Sequence, residues 1–588
     1  MLVARRLCHQ LGLRLYATTP HPSVLFEDFK TSRKRPHCAI TSVFDDHGLY
    51  VDQTQYLEKL FTEGDVKVHA VLPRRFSKST NLRLIDDMCG EKAKSIFAGT
   101  HLGRSAFFKT KWDPPYPVLH FHFGQFEGQR SAAIEQYILT EIELYFEKFG
   151  FSMSREASTS EKLGQLLEHI KAKGKPAVVL VDEYDTPALS GDPHALHLIN
   201  NFITPLKRSS ALTKLVIFGT HKVLEDVGTP TSDVSDLLER SPYYNMFGFT
   251  QKHVEEIFSE RDPDFEQLQS PRFKSTVTFE TNPTQYNKEK REWILKQVET
   301  LYDGYLFSGR SDAERLYNPY SVLRFRRELR GYFKLYLPIE FRMDEETTKI
   351  LRDYPKLLDS KVECDDSNFV KVNNVATSPE DSRSIKSLWE LGVLTIEKVN
   401  PETKVTTLRA TNSAMKENFE ILALKSFSIA NKEHFAAFNS AAQAGNFKEM
   451  AATLAKILKP RSRYLTSVRY LQEAIIETLM HCNLCMREDA RTGANRMVDL
   501  RFWRKWNFEY VVELQFESTV QAAVEQLKTR QRCHDSLKKV EDGREVIGVA
   551  LNYSQEKGVS LIFLRTFLEQ STVKYEVVFP QEEESKFS

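Results

Sequence analysis

The chain has 588 residues, 41% apolar and 27% charged, which is too long for a single growing core and too apolar for wholesale disorder. Its 81 basic and 80 acidic residues nearly cancel, which excludes a whole-surface field for nucleic acid or membrane and leaves local patches as the only electrostatic footprint. Seven cysteines, an odd number without a regular framework, fit a reducing compartment better than a secreted disulfide scaffold.

In chain order, residues 1–19 carry Arg5, Arg6 and Arg14, no acidic group, and leucines at helix-like spacing. That is the profile of a mitochondrial (matrix) transit peptide, with Arg14-Leu15-Tyr16-Ala17 resembling a processing site; a basic tail is the alternative. From about Phe26, short apolar runs alternate with helical stretches, the pattern of βαβ units and a parallel sheet. Val68–Leu72, Val118–Phe123, Ala177–Val181 and Lys214–Phe218 read as buried strands. Ser131–Lys148 and Ser160–Lys173 read as helices. The polar segment from about Arg352 to Ser387 reads as a linker. It is followed by a helix, strand, turn and strand from Leu388 to Leu408, then helices through about residue 485. The final hundred or so residues again alternate strands and helices. The apolar runs fall far short of the roughly 18 residues that cross a bilayer, so no membrane insertion is expected. Cys482 and Cys485 form a lone CxxC without a second pair, and read as thiols on helices rather than as a zinc site.

The first chemical constellation follows the strand ending at Leu72. Pro73-Arg74-Arg75-Phe76-Ser77-Lys78-Ser79-Thr80 leads into an apolar-periodic helix over Asn81–Met88. A strand, a tight loop and Lys-Ser at a helix start is the layout of a phosphate loop: backbone N–H groups and the helix N-terminus hold phosphate, Lys78 reaches the terminal phosphates, and Ser79 coordinates Mg²⁺. The pattern GxxxxGK[ST] places glycines at Leu72 and Ser77, and neither is one. The position before the lysine often needs a conformation that is cheap only for glycine. Farther on, the apolar strand Ala177–Val181 ends in Asp182-Glu183, where the first carboxylate suits the Mg²⁺ shell and the second suits an attacking water. Thr220, after the next strand, stands where a polar sensor of the γ-phosphate belongs. The contact set is Arg74, Arg75, Ser77, Lys78, Ser79, Thr80 and Thr220, for ATP and Mg²⁺. Arg74 and Arg75 suit phosphate equally well as they suit bracing the loop against carboxylates.

These segments resemble, in order, motifs of the AAA-ATPase-like family: Tyr50-Val51-Asp52-Gln53-Thr54 its YVDKT, Pro73 to Ser79 its RPRRFGKS, and Leu180 to Pro187 its IDEYDxP. Phe247-Gly248-Phe249-Thr250, Leu301 to Phe307 and Tyr317 to Val322 resemble its FGFT, WYDGYxF and YNPWSV. The departures are Ser77 for glycine, Gln53 for lysine, and Gly219-Thr220-His221-Lys222 where a GxxR-like sensor is usual. In this resemblance Tyr184 packs and Pro187 ends the strand.

Near the C-terminus, Arg496–Phe502 is a strand bearing Asp499, and Tyr510–Gln515 is a second bearing Glu513. Two carboxylates on adjacent strands can hold Mg²⁺ while a lysine two residues past the second orients water on a phosphodiester. Gln515 occupies that third place, and an amide supplies no charge to activate water. The helix after it and the strand Val546–Leu551 complete an order resembling the PD-(D/E)xK nuclease domain. Lys528, Arg504 and Lys505 are the nearby basic groups that could substitute.

The resulting expectation is an α/β chain. It comprises a transit peptide (1–19), a P-loop NTPase-like parallel-sheet domain (20–350), a linker with a helical and hairpin connector (351–465), and an α/β PD-(D/E)xK nuclease-like domain (466–588). Its function is to bind ATP, with possible hydrolysis through Glu183, and to act on or bind DNA or RNA through Asp499, Glu513 and Gln515. The alternative is a non-catalytic, nucleotide-regulated interaction protein with both sites degenerate. Oligomeric state is not legible.

Overall fold

The computed structural model describes residues 24–26 and 38–579, except 155, 191, 224–232, 241–242, 260–261, 263–264, 269–272, 311, 330–348, 351–352, 355–356, 365–369, 427–431, 483–484, 489–499, 504–507, 530–544 and 570–571. The leader read at residues 1–19, Asp499, Arg504 and Lys505 therefore lie outside the described residues. The chain divides into two units: 1–334 with 390–398, and 335–389 with 399–588. The first unit thus takes back a short segment from beyond the boundary read at residue 350.

In the first unit, β1 (Val24–Phe26) pairs antiparallel with β2 (Leu49–Val51). The main sheet consists of β3 (Lys67–Val71), β4 (Val118–His122), β5 (Ala177–Asp182), β6 (Leu212–Gly219) and β7 (Ser235–Asp236). It is five-stranded and parallel, in the order β4-β5-β6-β3-β7, consistent with a P-loop NTPase-like domain. All six residues of β5 are buried, as expected of a strand covered on both faces. One face packs on the helices Ser131–Phe149, Thr159–Ala172 and Pro193–Arg208. Their apolar positions recur at helical spacing, as in Ile134, Ile138, Ile142 and Phe146. The second helix starts at a capping box between Ser158 and Glu161. The strand order reverses beside β3, because the chain leaves it for the far edge strand β4 and only later inserts β6 next to it. Ligands in open parallel sheets gather beyond the carboxyl ends of strands at such a point.

In the second unit, β8 (Val362–Cys364), β9 (Val370–Val372) and β10 (Val375–Ala376) lie inside the stretch read as a linker, and the helix Pro379–Glu390 begins there too. The polar composition concealed alternating buried positions: Val362 and Cys364, then Val370 and Val372. β11 (Leu394–Val399) follows, with residues 394–398 grouping with the first unit. β12 (Thr406–Ala410) pairs antiparallel with β8. After the helices Ser413–Ser426, Lys432–Ala444, Phe447–Leu458 and Val468–His481 comes a six-stranded sheet. It runs β13 (Cys485–Glu488), β14 (Leu500–Trp503), β15 (Phe508–Phe516), β16 (Glu545–Ser554), β17 (Gly558–Glu569) and β18 (Thr572–Phe579) in sequence order. Only β15 and β16 are parallel; the helix Val520–Thr529 lies between them in the chain. Cys482 is buried at a helix end with its sulfur 3.3 Å from the Phe435 carbonyl, and burial pushes its thiol up to about 12. No helix among the described residues is long and apolar enough to cross a membrane.

Candidate functional site

The loop after β3 carries the first candidate site. Its helix begins at Lys78 and runs to Cys89, so Lys78 and Ser79 occupy the first turn, whose backbone N–H groups have no partners one turn back. Ser77 sits immediately before, at φ 50° and ψ 15°. The left-handed conformation anticipated for this position is therefore present, but a serine adopts it. Such a backbone costs a residue with a Cβ about 1–2 kcal/mol. Ser77→Gly is accordingly expected to raise the unfolding free energy of the first unit by about 1 kcal/mol, read as a higher midpoint in urea at unchanged slope. A lower midpoint would show that the serine side chain contributes something that outweighs the strain. Arg75 also has positive φ, at 70°.

Aromatic packing fixes the loop from behind. Phe76 is fully buried and meets Tyr305 and Phe307 edge-on at centroid distances of 4.7 and 4.8 Å. Gly392 closes over the same place with φ 76°, where a Cβ would stand 2.8 Å from Pro73 Cγ and 2.9 Å from Tyr305. Asn318 is buried and donates to the Arg74 carbonyl at 3.4 Å, while its own oxygen accepts from the Ser321 N–H at 3.1 Å. These contacts bring the segments 301–307 and 317–322 against the loop.

Lys78 is folded back onto its own loop. Its ammonium donates to the carbonyls of Leu72 (2.5 Å) and Pro73 (2.9 Å) and to the Thr220 hydroxyl (3.3 Å). Burial lowers its pKa to about 8, opposed by the charges of Asp185, Asp182 and Glu183. Thr220, singled out as a sensor, is thus brought to the phosphate-loop lysine. Arg74 stands 3.6 Å from Glu127, and the Arg75 guanidinium lies 4.6 Å from the centre of the Tyr320 ring, so both brace the loop while lining the same cavity.

The end of β5 brings the carboxylates to this loop. Asp182 is buried, has one oxygen 3.5 Å from His122 Nδ1, and lies near enough to Ser79 for that hydroxyl to help hold its pKa down. Burial pushes its pKa up, but the neighbouring polar groups of His122 and Ser79 and the charges of His122 and Lys78 outweigh that, leaving it below the usual value. Its Oδ1 is buried without a hydrogen-bond partner among the described residues. Glu183 lines the cavity at φ 52°, its pKa raised by burial and by the charge of Asp182. Room for its carboxylate comes from Gly124, where a Cβ would fall 2.1 Å from Glu183 Oε2. The strand stops at Asp182, five residues before Pro187, which lies in a 3-10 turn over Thr186–Ser190; the proline does not end the strand.

Asp185 carries a function that motif reading overlooked. It is fully buried, and its carboxylate accepts the backbone N–H groups of Thr220 (3.1 Å) and His221 (2.7 Å), tying the end of β6 to the turn after β5. Burial raises its pKa, against the charge of His221 and those two N–H bonds. Tyr184 packs as expected, with its hydroxyl 3.2 Å from both His69 and the His221 carbonyl. A cavity of about 440 Å³ opens over the loop and is lined by Arg74, Arg75, Ser77, Lys78, Ser79, Thr80 and Glu183 among others; Asp182, Asp185 and Thr220 stand behind this lining. That is a size suited to a small ligand. His122 carried a readable signal, since alternation with Leu119, Phe121 and Phe123 puts it at a strand's carboxyl end.

In the second unit, Glu513 is buried on β15, and strand alternation puts Gln515 on the same face. That face also presents Val511, which packs on Ala523, Val524 and Leu527 of the following helix. Lys528 of that helix stands 3.5 Å from Glu525 and is partly exposed.

Residues 40–226 match the family model described as AAA-ATPase-like, predicted AAA-ATPase. An uncharacterized protein in the vnfD 5′ region of Azotobacter chroococcum mcd 1 is 25% identical over 305 residues, 49% of this chain and 50% of that protein. The match therefore spans about half the length of this relative.

Proposed function

We propose, for a first unit whose residues 40–226 match the predicted AAA-ATPase model, that it binds ATP together with Mg²⁺ in the cavity beyond β3, β5 and β6. The observation that carries the reading is the meeting of Lys78, Ser79 and Asp182, from two distant parts of the chain, at the start of one helix. The donor set suits the metal: a hydroxyl, and beside it a depressed carboxylate with one buried oxygen unpartnered among the described residues. Ser79 and Asp182 would hold Mg²⁺, which when bound neutralises charge on the phosphate oxygens. The loop N–H groups and Lys78 hold the phosphates, and Glu183 orients water for hydrolysis.

The test is calorimetric titration with ATP, with and without Mg²⁺. Magnesium is expected to tighten binding to the wild type by about tenfold or more, and Asp182→Asn to lose that increment while keeping metal-free binding. Equal magnesium dependence in both proteins would remove Asp182 from the metal site.

A second reading concerns the second unit, favoured by one arrangement: a carboxylate-bearing strand, β15, parallel to β16 across a helix and antiparallel to β14. We propose that this unit keeps a PD-(D/E)xK nuclease-like scaffold that binds nucleic acid, with Asp499 and Glu513 as metal ligands and Gln515 in the place of the lysine. Wild-type protein is then expected to leave plasmid DNA intact with Mn²⁺ or Mg²⁺. Gln515→Lys should gain metal-dependent cleavage that Glu513→Gln, added to it, removes. Background activity in a folded Gln515→Lys protein would defeat the assignment.

A further inference from the structure

Away from the phosphate loop, the polar groups of the cavity wall that the phosphate chemistry leaves unused include Gln53 and His47. The Gln53 side chain is held in one orientation. Its Nε2 donates to the carbonyls of Asn245 and Gly248, each at 2.8 Å, and since two carbonyls can be satisfied only by an N–H₂ group, the amide cannot be turned around. The donors being spent, the amide oxygen is the only functional group that this half-buried residue can offer the cavity. His47 sits on the same wall with Nδ1 buried and without a hydrogen-bond partner among the described residues. Burial, and to a lesser degree Arg327 and Arg326, lower its pKa against the pull of Asp46, so the ring is neutral and can donate or accept according to tautomer.

We propose, building on the nucleotide reading above, that Gln53 is the residue that selects a 6-aminopurine. Its fixed acceptor takes a hydrogen bond from an exocyclic amine, and His47 supplies a second polar contact to the base. A 6-oxo purine would instead bring an acceptor against an acceptor and leave both unsatisfied, which is the larger part of the discrimination. The selection resides in this chain's own glutamine. A lysine there could still donate to the carbonyls of Asn245 and Gly248, but it has no acceptor to show.

Binding of Mg²⁺-ATP and Mg²⁺-ITP, which differ at the purine 6-position, is measured by calorimetry on the full chain, with tripolyphosphate as a base-free competitor. The wild type is expected to prefer ATP by about tenfold or more. Gln53→Lys, which preserves the donors to both carbonyls, should bring the ATP-to-ITP ratio to one or below. The ratio is insensitive to any general gain from the added charge. A wild-type ratio of one, or an unchanged ratio in Gln53→Lys, with tripolyphosphate still competing, overturns the base assignment alone. Failure of tripolyphosphate to compete with ATP brings down the phosphate-loop reading, and the base assignment with it.

Discussion

Lys78→Ala should weaken ATP binding by about a hundredfold, close to 2.7 kcal/mol. The magnitude is that of one or two charge-assisted hydrogen bonds between an ammonium and phosphate oxygens in a partly desolvated site. In the ligand-free protein the same ammonium is satisfied by the Leu72 and Pro73 carbonyls and by Thr220, at a cost in desolvation that already lowers its pKa to about 8. Removing it therefore takes away a partly compensated buried charge, and the fold should tolerate the change. The measurement is a calorimetric or fluorescence titration alongside a urea melt. Unchanged ATP affinity in a folded variant would refute the phosphate-loop assignment, while a lost melt with lost binding would say nothing against it, so Lys78→Met, which keeps the stem's packing, serves as the companion variant.

Asp185→Ala should cost about 3 kcal/mol or more of first-unit stability. The carboxylate is fully buried, and removing it strands the N–H groups of Thr220 and His221. Those two N–H groups hold the end of β6, and with it the Thr220 hydroxyl that Lys78 touches. Nucleotide affinity should therefore fall even under conditions where the variant remains folded. Asp185→Asn, which retains one acceptor, should lose roughly half as much. Denaturant melts with and without ATP separate the two effects, and a neutral Asp185→Ala would show that the β5–β6 tie is redundant.

How much of this was legible in the sequence follows from the range over which each signal acts. The strands Ala177–Asp182 and Leu212–Gly219 announce themselves because a parallel strand buried on both faces is a continuous apolar run. β7, two polar residues long, and the three short strands between Val362 and Ala376 are below the length at which alternation can be recognised. At the site, Lys78, Ser79, Asp182 and Glu183 are local features of strand ends and a helix start, so their chemistry could be named in advance. The tie from Asp185 to Thr220, the support of Arg74 by Asn318 and the locking of Gln53 by Asn245 and Gly248 join residues far apart in the chain. No periodicity reports them. The serine at position 77 illustrates the opposite case: the required backbone conformation was readable, and what sequence alone could not say was that a non-glycine residue would adopt it.

The return of residues 390–398 to the first unit makes the two units topologically interleaved, since the polypeptide crosses between them three times rather than once. A protein ended at residue 350 would be missing Gly392 from above Pro73 and Glu390 from its place 3.0 Å from His221. The first unit is thus completed only after the ribosome has made residues 335–389, the opening stretch of the second.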